Sequence, residues 1–423
     1  MRADLRIVVF TLSAIYFLAV GTYKASHFSG DFIAVYAGAR CLVQGCNPYD
    51  PAQLQRQYTS AQPGFWFAHP PIYPPSTLLA LSPLAQLPFR AASVIWALLG
   101  GSLLIAAVLV LWVTRDDSSW VPTLLVSFIL ILEARQLGGG NPVTLACALA
   151  VIGTTLFLIE RYVPLAAGLL ALSLAVKPQV AGLIILYLLM RGVSRRWAAV
   201  SLGGGLAFLL GGILILEMHP GSQHWFPSLR ANLAECVLPG HINDPTPANP
   251  QGGLANLQTL TSVFLTNPKA WNEAALGITL VLFVLWIVVL KKLEDGAPNH
   301  FLALPPLLVL SLLPVYHRSC DALILLLSVP MIAMIMRSHK VLGTWLALAT
   351  VLPILSDFTV GPIISATGHF WNLREAVSHR GVFILLMRPW CPELLLLFGL
   401  YVIAIRLSSP RLAESCVRIP IME

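Results

Sequence analysis

The stretch GDFIAVYAGARCLVQGCNPYD, residues 30–50, carries two carboxylates, Asp31 and Asp50, together with Arg40 and several aromatics, in a chain where only 11% of residues are charged. Asp31 is followed by Phe32, Val35, Tyr36 and Ala39 at helical spacing, so it belongs at or just before a helix N-terminus. An aspartate there can cap free backbone N–H groups. At a boundary between water and lipid it can also act as a general base, taking the proton of a sugar or lipid hydroxyl as that oxygen attacks. Asp50 lies in NPYDP, where an aspartate commonly fixes a turn through its own backbone.

The remaining candidates are cations, amides and imidazoles that suit a phosphate. His69 opens HPPIYPPS, whose prolines exclude a regular helix and predict a rigid extended segment; its ring is either structural or a phosphate contact. Asn141 closes ARQLGGGN, which also holds Arg135 and Gln136. Lys177, followed by Pro178 and Gln179, interrupts the apolar run SLAVKPQVAGLIILY. A lysine at such a break either snorkels to the interface or binds an anion. In YHRSCD, His317 and Arg318 place an imidazole beside a guanidinium, and Asp321 falls four residues after His317. Asp321 there orients His317 or pairs with Arg318, so the group either neutralises a leaving phosphate or closes a helix hairpin as a salt bridge.

Elements able to position these residues must be membrane helices. The 423 residues are 57% hydrophobic with a mean hydropathy of +0.78, far from a soluble domain, in which roughly a quarter of residues are charged. A spanning helix needs about 20 mostly apolar residues. About twelve such segments are read at residues 5–23, 92–113, 120–135, 142–159, 163–176, 179–191, 197–217, 272–290, 301–315, 320–336, 341–356 and 389–407. Several are short, notably the pair around Lys177, and residues 76–87 form a half helix. The first run is a retained helix rather than a cleaved leader, because no small-x-small cleavage site follows it. The expected architecture is all-α, one polytopic transmembrane domain over residues 1–423, with loops at 24–75, 218–271 and 357–388.

With the N-terminus cytoplasmic, strict alternation collects Arg2 and Arg6, Arg115, Arg161, the cluster at 191–196, Lys291 and Lys292, Arg337 and Lys340, and Arg406 and Arg411 on the inner side, as the positive-inside rule expects. The long loops and all the candidate residues then share the extracytoplasmic side. The net charge of +7 is thereby explained by topology, and no basic run interleaved with aromatics points to nucleic acid. Cys41 and Cys46 bracket a turn at Gly45 and are able to pair if that loop faces an oxidising compartment; four of the other cysteines, in or next to apolar spans, read as small core residues. No P-loop, dinucleotide fingerprint, HExxH or Ser/His/Asp order occurs, which argues against nucleotide-dependent and zinc chemistry.

The first span followed by SGDFIAVYAGARCLVQGCNPYD, then HPPIYPPSTLLALSPLAQLP, QLGGGNPVTLACALA and AVKPQ, resembles glycosyltransferase family 87, the polyprenol-phosphate-mannose-type mannosyltransferases of the GT-C superfamily. The order and spacing match over about residues 20–180; beyond that the likeness rests on YHRSCD and hydropathy. The resemblance implies a GT-C fold in the plasma (inner) membrane and a site on the extracytoplasmic side. It also implies a polyprenyl-phosphate-linked sugar as donor, mannose or another hexose, a lipid or glycan acceptor, and inverting transfer with no cofactor and no metal. Asp31 then matches the acidic residue of the family's first loop as catalytic base, and Lys177, His317 and Arg318 become the donor-phosphate group. Arg40, Asp50, His69, Asn141, Gln179 and Asp321 support them. The sequence departs from the commonest family form at GGGN, where a Gln often precedes the Asn, and at Cys320. The competing reading is a transporter or flippase of lipid-linked sugars, which predicts polar groups at the bilayer midplane and a repeat between halves; neither is visible in the sequence.

Overall fold

The computed structural model describes residues 2–28, 30–65, 71–113, 120–246, 249, 253–291, 293, 297–314, 316–370 and 389–415. The first helices are α1 (Arg2–His27), α2 (Gly30–Gln44), α3 (Pro51–Ala61), α4 (Pro75–Leu81), α5 (Phe89–Val113) and α6 (Val121–Gly139). They are followed by α7 (Val143–Leu158), α8 (Val163–Val176), α9 (Pro178–Arg191), α10 (Arg195–Met218), α11 (Trp225–Cys236) and α12 (Leu257–Phe264). The last are α13 (Pro268–Leu290), α14 (Ala297–Leu312), a 3-10 helix (Ser319–Ser328) that runs into α15 (Val329–Ser338), α16 (Lys340–Phe370) and α17 (Trp390–Ser415). Among the described residues there is no strand beyond one isolated antiparallel bridge, Leu254 with Arg318.

Among the described residues each of the twelve expected apolar segments coincides with a helix. Seven helices among the described residues are long and apolar enough to cross a membrane, and five shorter apolar helices accompany them. These helices mark an integral membrane protein. The short ones include α8 and α9, which at 14 residues each span roughly 21 Å against a hydrocarbon core of about 30 Å. Their break is local chemistry: Pro178 has no N–H and pushes the preceding residue out of the helical region, and Lys177 sits there at φ −151°, ψ 90°.

The loops hold more structure than their composition announced. Residues 24–75 contain α2 and α3, and 218–271 contain α11 and α12. The segment 357–370, expected in a loop, continues α16 instead; its sequence keeps apolar residues such as Ile363 and Ile364 that sustain a helix, whereas residues 371–388 lie outside the described residues. In HPPIYPPS the described residues 71–74 are irregular, as the prolines require, but Pro75 already opens α4. Proline is tolerated at that first position because its missing N–H has no partner there anyway.

The chain divides into two compact units, one made of Ser13–Ala107 and Glu133–Asp244, the other of Met1–Leu12, Val108–Leu132 and Pro245–Glu423. In the first, α7 is buried along its entire length, α8 packs between α7 and α10, and α4 lies against α2, α8 and α10. A helix apolar on every side belongs at the centre of such a bundle. In the second, the wholly buried Ser319–Ser328 helix packs on α14 and α16, and Trp286 of α13 donates its indole N–H to the Ala303 carbonyl of α14 at 2.9 Å.

Candidate active site

In the first unit, Asp31 lies in the first turn of α2 and is half-buried. Its Oδ2 accepts a hydrogen bond from Asn141 Nδ2 at 3.0 Å, while Asn141 Oδ1 accepts from the Val143 backbone N–H at 3.0 Å and so starts α7. One asparagine thereby ties the GGGN turn to the carboxylate 110 residues away. Small residues make this approach possible: Gly140 has φ +75°, and a Cβ there would run into the Phe32 side chain, while one at Gly138 would run into Lys24. Phe32, next to Asp31, stacks on Trp96 and Phe89 at centroid distances of 5.6 and 6.0 Å, and the Trp96 indole N–H donates to the Gly140 carbonyl at 3.0 Å. The aromatic seat and the glycine turn thus fix the carboxylate from two sides.

Lys24, which the sequence reading passed over, belongs to this cluster. Its Nζ donates to the Arg135 carbonyl at 3.1 Å, and its charge interacts with those of both Asp31 and Arg135. The available signal was a lone lysine at the end of the first span opposite to Arg2 and Arg6. Arg40, nine residues after Asp31, lies about 13.5 Å further along α2 at the usual helical rise. Its guanidinium donates to Tyr36 Oη at 3.3 Å, and that hydroxyl donates to the Leu87 carbonyl at 2.7 Å. Tyr36, with Arg40 on its hydroxyl, therefore braces α2 against Leu87, two residues before α5.

Asp50 is a helix cap: its Oδ1 accepts from the Ala52 and Gln53 N–H groups at 2.9 and 3.0 Å, starting α3. Cys41 and Cys46 are disulfide-bonded across the Gly45 turn. Beyond them Tyr49 is buried and donates to the Tyr73 carbonyl at 2.7 Å; burial pushes its hydroxyl well above the usual phenol range, so it stays a donor. Asn232 of α11 closes this loop, donating to the Tyr49 and Pro71 carbonyls at 2.9 and 3.0 Å. His69 lies outside the described residues.

Lys177 is half-buried at the junction of α8 and α9, with Gln179, also half-buried, one residue past the proline. A carbonyl freed by the break is met by Thr77 of α4, which donates its hydroxyl to Val176 O at 2.8 Å, and nearby Ser173 Oγ ties α8 to Ala146 O of α7 at 2.7 Å. The PPST and AVKPQ segments are therefore held against each other, which brings two of the noted motifs together as firmly as Asp31 and Asn141.

In the second unit, YHRSCD is pinned by backbone. Ala255 N–H donates to the His317 carbonyl and Ser319 N–H to the Gly253 carbonyl, each at 3.0 Å, on either side of the Leu254–Arg318 bridge. His317 is fully buried; its Nδ1 lies 2.9 Å from Asp321 Oδ2, and the same oxygen accepts the Arg318 N–H at 3.0 Å. With Asp321 ionised, an acceptor-only group, Nδ1 is the donor. Among the described residues Nε2 has no hydrogen-bond partner. A buried polar nitrogen of this kind is usually met by a protein group, a water or an ion. Arg318 Nε donates to Tyr316 Oη at 2.7 Å, and Asp321 meets both the imidazole and the Arg318 backbone. Among the described residues no group of three His, Cys, Asp or Glu gathers to hold a metal ion.

The model of the family described as glycosyltransferase family 87 matches residues 72–314. No curated protein and no solved structure matches the chain.

Proposed function

Because the chain belongs to glycosyltransferase family 87 and is therefore a glycosyltransferase, we propose that it moves a hexose, mannose or a close relative, from a polyprenyl-phosphate donor to a lipid or glycan acceptor. The transfer inverts the anomeric centre and takes place on the extracytoplasmic side of the plasma membrane. The acceptor O–H gives its proton to Asp31, the acceptor oxygen bonds to the anomeric carbon, and the bond from that carbon to the phosphate oxygen breaks. The polyprenyl phosphate leaves with the bonding pair, its charge met by cations. This needs one carboxylate, not the paired carboxylates of a retaining hydrolase.

The observation that carries the reading is the Asp31–Asn141 contact, in which a neutral amide donor holds a half-buried carboxylate at a helix start. Lys177 in the first unit, and Arg318 with Nε2 of His317 in the second, are each proposed as phosphate contacts within their own unit, and the Cys41–Cys46 bond suits an oxidising compartment. Incubating the purified protein with polyprenyl-phosphate hexoses and membrane lipid extract is expected to yield a new glycolipid of inverted configuration. Donor consumed only to free sugar, or lipid-linked sugar moved across vesicles without transfer, would overturn the reading.

Asp50 and Asp31 part company in a stability measurement. Asp50→Ala removes the α3 cap and is expected to lower stability by about 0.5–2 kcal/mol while turnover per folded molecule is kept, as read by thermal unfolding in detergent beside the transfer assay. Full stability with lost turnover would instead give Asp50 a chemical role.

A further inference from the structure

α10 and α11, which follow one another in the chain, each expose an apolar face. On α10, Leu206, Leu210, Leu214 and Met218 recur every fourth residue and are all exposed, reaching 78% at Met218. On a membrane-spanning helix such a stripe faces acyl chains. After the short turn Pro220–Ser222, α11 sorts its residues into three directions. Trp225, Asn232 and Cys236 are buried against the protein. Phe226, Leu233 and Val237 are exposed at 58%, 48% and 52%, and at 3.6 residues per turn they fall within an arc of about 40° with Arg230 beside them. Ala231 and Glu235, also exposed, lie on the far side of the helix from that arc.

We infer that α11 is an interfacial helix whose Phe226, Leu233 and Val237 stripe inserts into the boundary between headgroups and acyl chains of the bilayer that α10 spans, with Arg230 at the headgroup phosphates. Continuity decides the occupant. The stripe begins eight residues after Met218, the end of the lipid-facing row, and α11 is tied to that end by the Trp225 indole N–H on Glu217 Oε1 at 2.7 Å. A helix with a narrow apolar face, a basic flank and a polar back lies in the interface plane. The consequence reaches the first loop, since the protein-facing side of α11 holds Tyr49 and Pro71 through Asn232 and Asn47 through Ser228 at 3.2 Å. The membrane surface, acting through α11, thus anchors the loop that follows the helix bearing Asp31.

The test is site-directed spin labelling of the full chain in phospholipid nanodiscs. Cys147, Cys236, Cys320 and Cys391 are buried and Cys41 is bonded to Cys46, so after Cys416→Ser a single label can be carried at Phe226→Cys, Leu233→Cys or Ala231→Cys. Relaxation by oxygen, which concentrates in lipid, is expected to exceed that by a water-soluble nickel chelate at 226 and 233, and the order should reverse at 231. Equal nickel access at 231 and 233 would overturn the proposal. Immobile labels at 226 and 233 reached by neither reagent would overturn it as well, because a protein partner or a second copy would then cover the stripe. Neither readout depends on the transfer reaction.

Discussion

Asp31→Asn is expected to slow transfer by at least about 10²-fold with folding and donor binding intact, the loss typical of a removed general base. The substitution isolates the proton-accepting role. Asparagine keeps the shape and one amide oxygen, so the hydrogen bond from Asn141 Nδ2 and the packing of Phe32 on Trp96 survive, but the amide cannot take the acceptor's proton. A purely capping aspartate predicts the opposite pattern, a stability change of at most about 1 kcal/mol with activity kept. Steady-state kinetics with a fixed polyprenyl-phosphate hexose, alongside a direct donor-binding measurement, separates the two: the base role lowers kcat and leaves donor affinity unchanged. Normal turnover in Asp31→Asn together with a dead Asp50→Asn would reverse the two roles.

Arg318→Ala should weaken donor binding by about 1.5–3 kcal/mol, the usual cost of losing a hydrogen bond to a charged group, which is roughly ten- to a hundredfold or more in Kd. The Arg318 backbone is held in place by the Leu254 bridge and by Asp321, so the loss should fall on binding rather than on folding. Arg318→Lys should restore only part of the affinity, because a point charge replaces a planar fork that matches phosphate oxygens two at a time. Titration of the polyprenyl-phosphate donor against the purified variants decides it. Unchanged affinity in the alanine protein would leave Arg318 as a structural partner of Tyr316.

The sequence by itself determined what depends on neighbours along the chain. Apolar runs of helical length mark the twelve apolar helices found among the described residues, Pro178 marks the break at Lys177, NPYDP marks a turn aspartate that proves to be the α3 cap, and the spacing from His317 to Asp321 marks their contact. Each is written in a few consecutive residues, and backbone sterics or one helical turn is enough to read it. The interactions that span the chain were decided only by the tertiary structure. Asn141 reaches Asp31 across 110 residues, Thr77 reaches Val176 across 99, and Asn232 reaches Tyr49 across 183. Which amide or hydroxyl meets which oxygen depends on how closely two helices approach, and that distance is set by glycines such as Gly140 lying under Phe32. Lys24 entered the Asp31 cluster for the same reason. Nothing beside it in sequence carries a partner, and only the packing of α1 on the Gly138 turn places its charge there. The two faces of α11 divide in the same way: its apolar arc follows from the helical period, whereas its polar face makes sense only once the loop it holds is in place.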